Sequence, residues 1–145
     1  MEEFMPMAIQ FAKNHTLMVA GWVGLFVATI YVFMRDNFSK VKVISNAEAV
    51  ALMNGQNAVV LDLRTIDEFR KGHIINSQQV VPSDIKKHNL GKLEQHKDTP
   101  VILVCNTGMT ARSSADILVK QGFSHVYSLK DGISGWAGAN LPLVK

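Results

Sequence analysis

The chain has 145 residues, 48% of them hydrophobic and 19% charged, with a formal net charge of +3, which is room for one ordinary domain and an appendage. From Ser45 onward eleven Lys and Arg face nine Asp and Glu, a mixture too even to give a nucleic-acid footprint. A single cysteine excludes an intramolecular disulfide and a zinc-ribbon site.

Residues 1–16 form a short mixed N-terminal segment with Glu2, Glu3 and Lys13, and Leu17–Met34 then runs eighteen residues without a charge. As a helix this stretch is about 27 Å long, close to the roughly 30 Å core of a bilayer, which predicts a transmembrane helix over 17–34. A cleaved signal peptide has a shorter apolar stretch and small residues at its end, whereas Val32-Phe33-Met34-Arg35 is bulky. Arg35, Lys40 and Lys42 follow the span against Lys13 before it. The positive-inside rule then expects a single-pass protein of a bacterial-type inner membrane with its C-terminal domain in the cytoplasm, where a lone thiol stays reduced. Ala20, Gly24 and Ala28 recur every fourth residue. Such a stripe lets spans approach closely, though small residues are also common in membrane helices at large.

Residues 35–42 read as a charged linker, with the soluble domain over 43–145. Val41–Ile44 is the first strand, and Ser45-Asn46-Ala47-Glu48 has the spacing of a capping box opening a helix through about Met53. Ala58–Asp62 is apolar enough to be a strand buried on both faces, hence parallel. Thr65-Ile66-Asp67-Glu68 is a second capping box, and its short helix ends at Gly72. Gln78–Val81 is a third strand, Pro82–Lys87 a helix, and Leu90–His96 another polar turn or two. Val101–Val104 is a β-branched and aliphatic strand ending at Cys105, followed by a loop and a helix over 111–121 with Ala115, Leu118 and Val119 as its apolar face. Val126–Leu129 is the fifth strand, and 132–138 a last helix that packs Ile133 and Trp136 on the sheet. Strand and helix in alternation predict an α/β fold: a five-stranded, mainly parallel sheet with helices on both faces.

The order strand, Cys105, loop, helix places a thiol at the C-terminal end of a buried strand, facing a helix N-terminus, where open α/β sheets bind ligands and helix-end amides favour an anion. A thiolate is such an anion, and the sulfur is expected to be nucleophilic; the competing reading is a cysteine that simply packs. A Cys-x5-Arg phosphatase needs arginine at position 111 to grip phosphate with two parallel hydrogen bonds. Ala111 stands there and Arg112 comes one later. The shorter loop suits a smaller group, a single sulfur atom, with the amides of residues 106 to 110 directed at it.

The segment Cys105-Asn106-Thr107-Gly108-Met109-Thr110-Ala111 resembles the active-site loop of the rhodanese sulfurtransferases. Two further blocks agree with that family in order: Val60-Leu61-Asp62-Leu63-Arg64 with Glu68-Phe69 and Gly72-His73-Ile74 upstream, and Val126–Leu129 with Gly132-Ile133, Trp136 and Leu141-Pro142 downstream. The resemblance implies a two-step transfer in which Cys105 takes sulfane sulfur from a donor as a persulfide and passes it to a thiol, with no metal and no organic cofactor. Asn106, Thr107, Gly108, Met109 and Thr110 would cradle the persulfide, the two threonine hydroxyls as donors. Asp62, Arg64, His73 and Arg112 would support the site: the first two either shape it electrostatically or form a partly buried pair organising loops, and His73 either bonds the loop or holds a local turn, the pair and the turn being the expected roles.

The departures from the family bear on the donor. Many members carry basic residues inside this loop, which attract thiosulfate, whereas here the side chains after Cys105 are uncharged and Arg112 is rotated about 200° around the helix from the usual arginine. Weak thiosulfate activity is therefore expected, with a persulfide or polysulfide donor and a thiol acceptor, small molecules or proteins. Two other functions fit the same residues: a non-catalytic membrane adaptor, in which the span makes contacts through Ala20, Gly24 and Ala28, and a redox-sensing thiol.

Overall fold

The computed structural model describes residues 3–37 and 40–145. The chain divides into two compact units, Met1–Ser39 and Lys40–Lys145.

In the first unit, helix α1 (Phe4–Asn14) and helix α2 (Thr16–Asn37) are separated by His15 alone, whose backbone (φ −126°, ψ 44°) leaves helical geometry. The segment expected to be merely mixed is thus helical. Pro6 is tolerated because it sits in the first turn, where an amide hydrogen has no intrahelical acceptor. Within α2, Thr16–Met34 has a mean hydropathy of 2.1 and is long and apolar enough to cross a membrane. Thr29, the polar residue in its middle, turns its hydroxyl onto the Leu25 carbonyl at 2.8 Å, so no hydrogen bond is left wanting on an apolar surface. The helix continues three residues beyond the expected end of the span, so the first part of the expected 35–42 linker is helical. Positions 38 and 39 of that linker lie outside the described residues.

The second unit is a sheet of five strands: β1 (Lys42–Ile44), β2 (Val59–Asp62), β3 (Gln78–Gln79), β4 (Val101–Val104) and β5 (Val126–Leu129). They are ordered β1-β5-β4-β2-β3, and every pairing is parallel. Between them run α3 (Asn46–Gly55), α4 (Ile66–Lys71), α5 (Pro82–Lys86), a 3-10 turn over Gly91–His96, and α6 (Met109–Lys120), and α7 (Gly132–Gly138) follows β5. Both capping boxes are present: Ser45 and Glu48 open α3, and Thr65 and Glu68 open α4.

Alternation along β4 sorts the core. Val101, Leu103 and Cys105 face one side with Leu61, Ile85, Ala115 and Leu118; Ile102 and Val104 face the other with Ile44, Ala49, Ile133 and Trp136. α5 and α6 therefore cover one face, and α3 and α7 the opposite one. The third strand is shorter than expected, because Pro82 begins α5 so soon after it.

Leu118 of α6 is fully buried against the central strands. Leu118→Ala is expected to cost about 2–5 kcal/mol of unfolding free energy, read as a lower denaturation midpoint with an unchanged slope in urea.

Candidate active site

β2 and β4 are neighbours, yet β2 runs on through α4 toward β3 at one edge while β4 runs on through α6 toward β5 on the other side. Their exits diverge, leaving a crevice at the C-terminal ends of the two strands where such sheets hold ligands. Leu63 N–H donates to the Val104 carbonyl at 2.8 Å, so the pairing persists to the residue before Cys105.

Cys105 is 6% exposed and sits over the apolar layer of Leu61, Leu63, Leu103 and Ala111. Asn106, Thr107, Met109 and Thr110 beyond it are exposed. The Gly108 amide donates to Cys105 Sγ at 3.0 Å. Gly108 has φ +95° and serves as N-cap of α6, with a Cβ there running into the carbonyl oxygens of Leu129 and Lys130; only glycine fits both constraints. The helix consequently begins at Met109, two residues before its expected start. Met109 and Thr110 belong to its first turn, and the loop proper is Cys105–Gly108.

The main chain of this loop is held from behind by α7. Ile133 N–H donates to the Cys105 carbonyl at 2.9 Å, and Ser134 N–H to the Asn106 carbonyl at 3.2 Å. In a trans peptide the N–H points opposite to the C=O, so drawing these two carbonyls toward α7 turns the amides of Asn106 and Thr107 away from it. At the α7 turn Gly132 (φ +59°) lies so close that a Cβ would meet the Cys105 carbonyl and Asn106.

From the β2 side, Asp62 and Arg64 form a buried fork. The Arg64 Nε is 3.0 Å and 3.1 Å from the two Asp62 oxygens, its Nη2 is 2.8 Å from Asp62 Oδ2, and the Arg64 amide also donates to Asp62 Oδ1 at 3.0 Å. Nη2 continues to the Gly72 carbonyl at 2.7 Å, while Gln79 Nε2 donates to the Arg64 carbonyl at 2.9 Å. Both charges are thereby satisfied inside the protein, and removing one partner would leave the other buried and uncompensated. His73 stacks on Phe69 with ring centroids 3.8 Å apart, its Nδ1 lies 2.8 Å from the Phe69 carbonyl, and its backbone pairs with Val144 through two 2.8 Å hydrogen bonds. Arg112 is exposed on α6, its amide bonded to the Gly108 carbonyl at 3.2 Å. Among the described residues no group of three or more His, Cys, Asp or Glu could hold a metal ion.

One residue of this neighbourhood, Glu68, entered the sequence reading as a helix cap and as part of the upstream block, with no role at the site. Glu68 Oε2 accepts from the Thr65 amide at 3.1 Å and the Thr65 hydroxyl at 2.8 Å, and Oε1 accepts from Asn106 Nδ2 at 3.0 Å. The Asn106 side chain foremost, then Thr65, holds the Glu68 carboxyl down to a pKa of about 2. The signals in the sequence were its place in the upstream block and the capping box, which occupies one carboxylate oxygen and leaves the second available.

The Rhodanese-like domain profile matches residues 45–139. An uncharacterised Escherichia coli K12 protein, YibN, is 48% identical over 137 residues, spanning 94% of this chain and 96% of that one. The thiosulfate sulfurtransferase GlpE of Pseudoalteromonas translucida is 34% identical over 98 residues, covering 68% of this chain and 90% of its own. A crystal structure of a rhodanese-related protein from Thermoplasma volcanium superposes with a TM-score of 0.61 at 22% identity, over 71% of this chain and 97% of that one.

Because the folded state favours ionised Glu68, its contribution to stability is fully present above the ordinary pKa of 4.5 and is lost as the pH falls through about 2. A carboxyl-carbon NMR titration is expected to show Glu68 with a midpoint near 2, moving up toward the ordinary value in Asn106→Ala.

Proposed function

The chain belongs to the rhodanese-like domain family, and from that premise we propose that it is a sulfurtransferase carrying sulfane sulfur as a persulfide on Cys105, at the cytoplasmic face of a bacterial inner membrane. The observation that carries the reading is the Gly108 amide 3.0 Å from Cys105 Sγ at the head of α6.

In the first step the Cys105 thiolate attacks the outer sulfur of a donor R–S–S⁻. The new Cys–S bond forms as the donor S–S bond breaks, giving Cys–S–S⁻ and R–S⁻. An acceptor thiolate then removes the outer sulfur and restores Cys105, a two-step relay of the covalent-catalysis kind. The attacking sulfur and the persulfide are both anionic, so donors aimed at them serve both states, as an oxyanion hole serves oxygen. The Gly108 amide and the first-turn amides of α6, which lack intrahelical acceptors, form that cradle, with Asn106, Thr107, Met109 and Thr110 around its mouth and no metal or organic cofactor. Asp62, Arg64 and His73 hold the surrounding turns. With no charged side chain from Asn106 to Thr110, thiosulfate is a poor donor and a persulfide or polysulfide a better one.

Thr16–Met34 is the proposed membrane span, and Arg35, Lys40 and Lys42 beyond it favour a cytoplasmic domain. Ala20, Gly24 and Ala28 offer a face for close helix contact within the bilayer.

Incubating the full chain in non-ionic detergent with a persulfide donor is expected to add about 32 Da, one sulfur, and to yield cyanolysable sulfur. Cys105→Ala should abolish both; sulfur retained by that variant, or none loaded by the parent, overturns the proposal. For topology, protease is expected to digest the domain in inside-out vesicles and spare it in right-side-out ones, and the reverse pattern would overturn the orientation.

A further inference from the structure

Glu68 joins the exit of β2 to the residue immediately after the candidate nucleophile. Its two oxygens are committed in different directions, Oε2 to the α4 cap at Thr65 and Oε1 to Asn106 at 3.0 Å. The carboxylate therefore cannot swing clear of the crevice without giving up both sets of bonds. We propose that Glu68 is a specificity-determining residue, which fixes a negative charge beside the sulfur-accepting loop and weights the site against dianionic donors relative to monoanionic ones. This rests on the sulfur-relay reading and adds to it the charge of the donor.

Three observations carry the inference. Glu68 is ionised throughout the neutral range, as an ordinary carboxylate is, and its bonds to Asn106 and Thr65 fix where that charge lies. The nearby guanidinium of Arg64 is already matched by Asp62, bonded through both carboxylate oxygens. The side chains of Asn106, Thr107, Met109 and Thr110 bring no positive charge of their own. Arg112 and Lys130 are exposed and are unchanged in Glu68→Gln, so comparing that variant with the parent isolates the Glu68 charge.

The donors compared differ in charge but deliver the same sulfur. Thiosulfate reacts as Cys–S⁻ + S–SO3²⁻ → Cys–S–S⁻ + SO3²⁻, breaking the S–S bond and releasing sulfite. An alkyl persulfide reacts as Cys–S⁻ + R–S–S⁻ → Cys–S–S⁻ + R–S⁻. The dianion brings one extra unit of negative charge past Glu68, which near a solvated surface corresponds to about threefold to tenfold in rate constant.

The test uses the full chain in non-ionic detergent, with thiosulfate and 2-hydroxyethyl persulfide as donors and persulfide on Cys105 as readout. Glu68→Gln keeps an oxygen acceptor for Asn106 and removes the charge, so the ratio of kcat/KM for thiosulfate over persulfide is expected to rise about threefold to tenfold. Added sodium chloride should raise the same ratio more steeply in the parent protein, where no folding defect can intervene, than in Glu68→Gln, where the Cys105 thiolate alone still repels the dianion. Glu68→Ala, which removes the charge and also frees Asn106, should raise the ratio as Glu68→Gln does while lowering the rate with both donors. A ratio that stays within twofold of the parent value in Glu68→Gln overturns the inference while leaving sulfur relay intact. Failure of the parent to load sulfur from either donor overturns sulfur relay, and this inference with it.

Discussion

Everything about the candidate site depends on two adjacent parallel strands parting company at their C-terminal ends. β2 and β4 are hydrogen-bonded up to Leu63 and Val104, and then α4 and α6 carry the chain away in opposite directions. No backbone fills the gap, and the loops on either side must be tied to each other by side chains and to the rest of the sheet by stray amides. The Glu68 bond to Asn106 makes the first kind of tie. The α7 amides on the Cys105 and Asn106 carbonyls make the second. A four-residue loop held at both ends and along its back has little conformational freedom, which is what a preorganised anion cradle requires.

The ion pair beneath β2 has a different part. Taking two charges out of water is costly, and their mutual attraction does not make such a pair a strong source of stability by itself. Here the pair is used as a junction: Arg64 reaches the Gly72 carbonyl past the end of α4, while its own carbonyl takes Gln79 from β3. Asp62 and Arg64 thus tie the end of β2 to the turn after α4 and add a side-chain link to β3, and their contribution to chemistry is through placement.

Much of this was legible in the residues. Alternating apolar runs and capping boxes located the strands and the helix starts, and the apolar tract at 17–34 stood out by length alone. The lone cysteine after an uninterrupted β-branched strand marked the crevice. What the sequence hid was long-range: that Glu68 spends its second oxygen on a residue 38 positions away, and that Gly132 is glycine because the Cys105 carbonyl leaves no space for a Cβ. Neither is a matter of local propensity or periodicity. The helix start at Met109 was missed for a related reason, since Gly108 adopts its left-handed geometry under the Leu129 and Lys130 carbonyls, a neighbour that only the folded chain supplies.

The two-way backbone pairing of His73 with Val144 sets an order of events during synthesis. Translation runs from N- to C-terminus, so the turn after α4, which offers its Gly72 oxygen to Arg64, waits for a stretch made long after it. Trp136 Nε1, bonded to the Pro142 carbonyl at 3.1 Å, must likewise await that stretch. A nascent domain emerging from the ribosome would therefore carry its cysteine, strand and cap before the partner of His73, and a chain halted short of Val144 would leave the His73 backbone without that pairing.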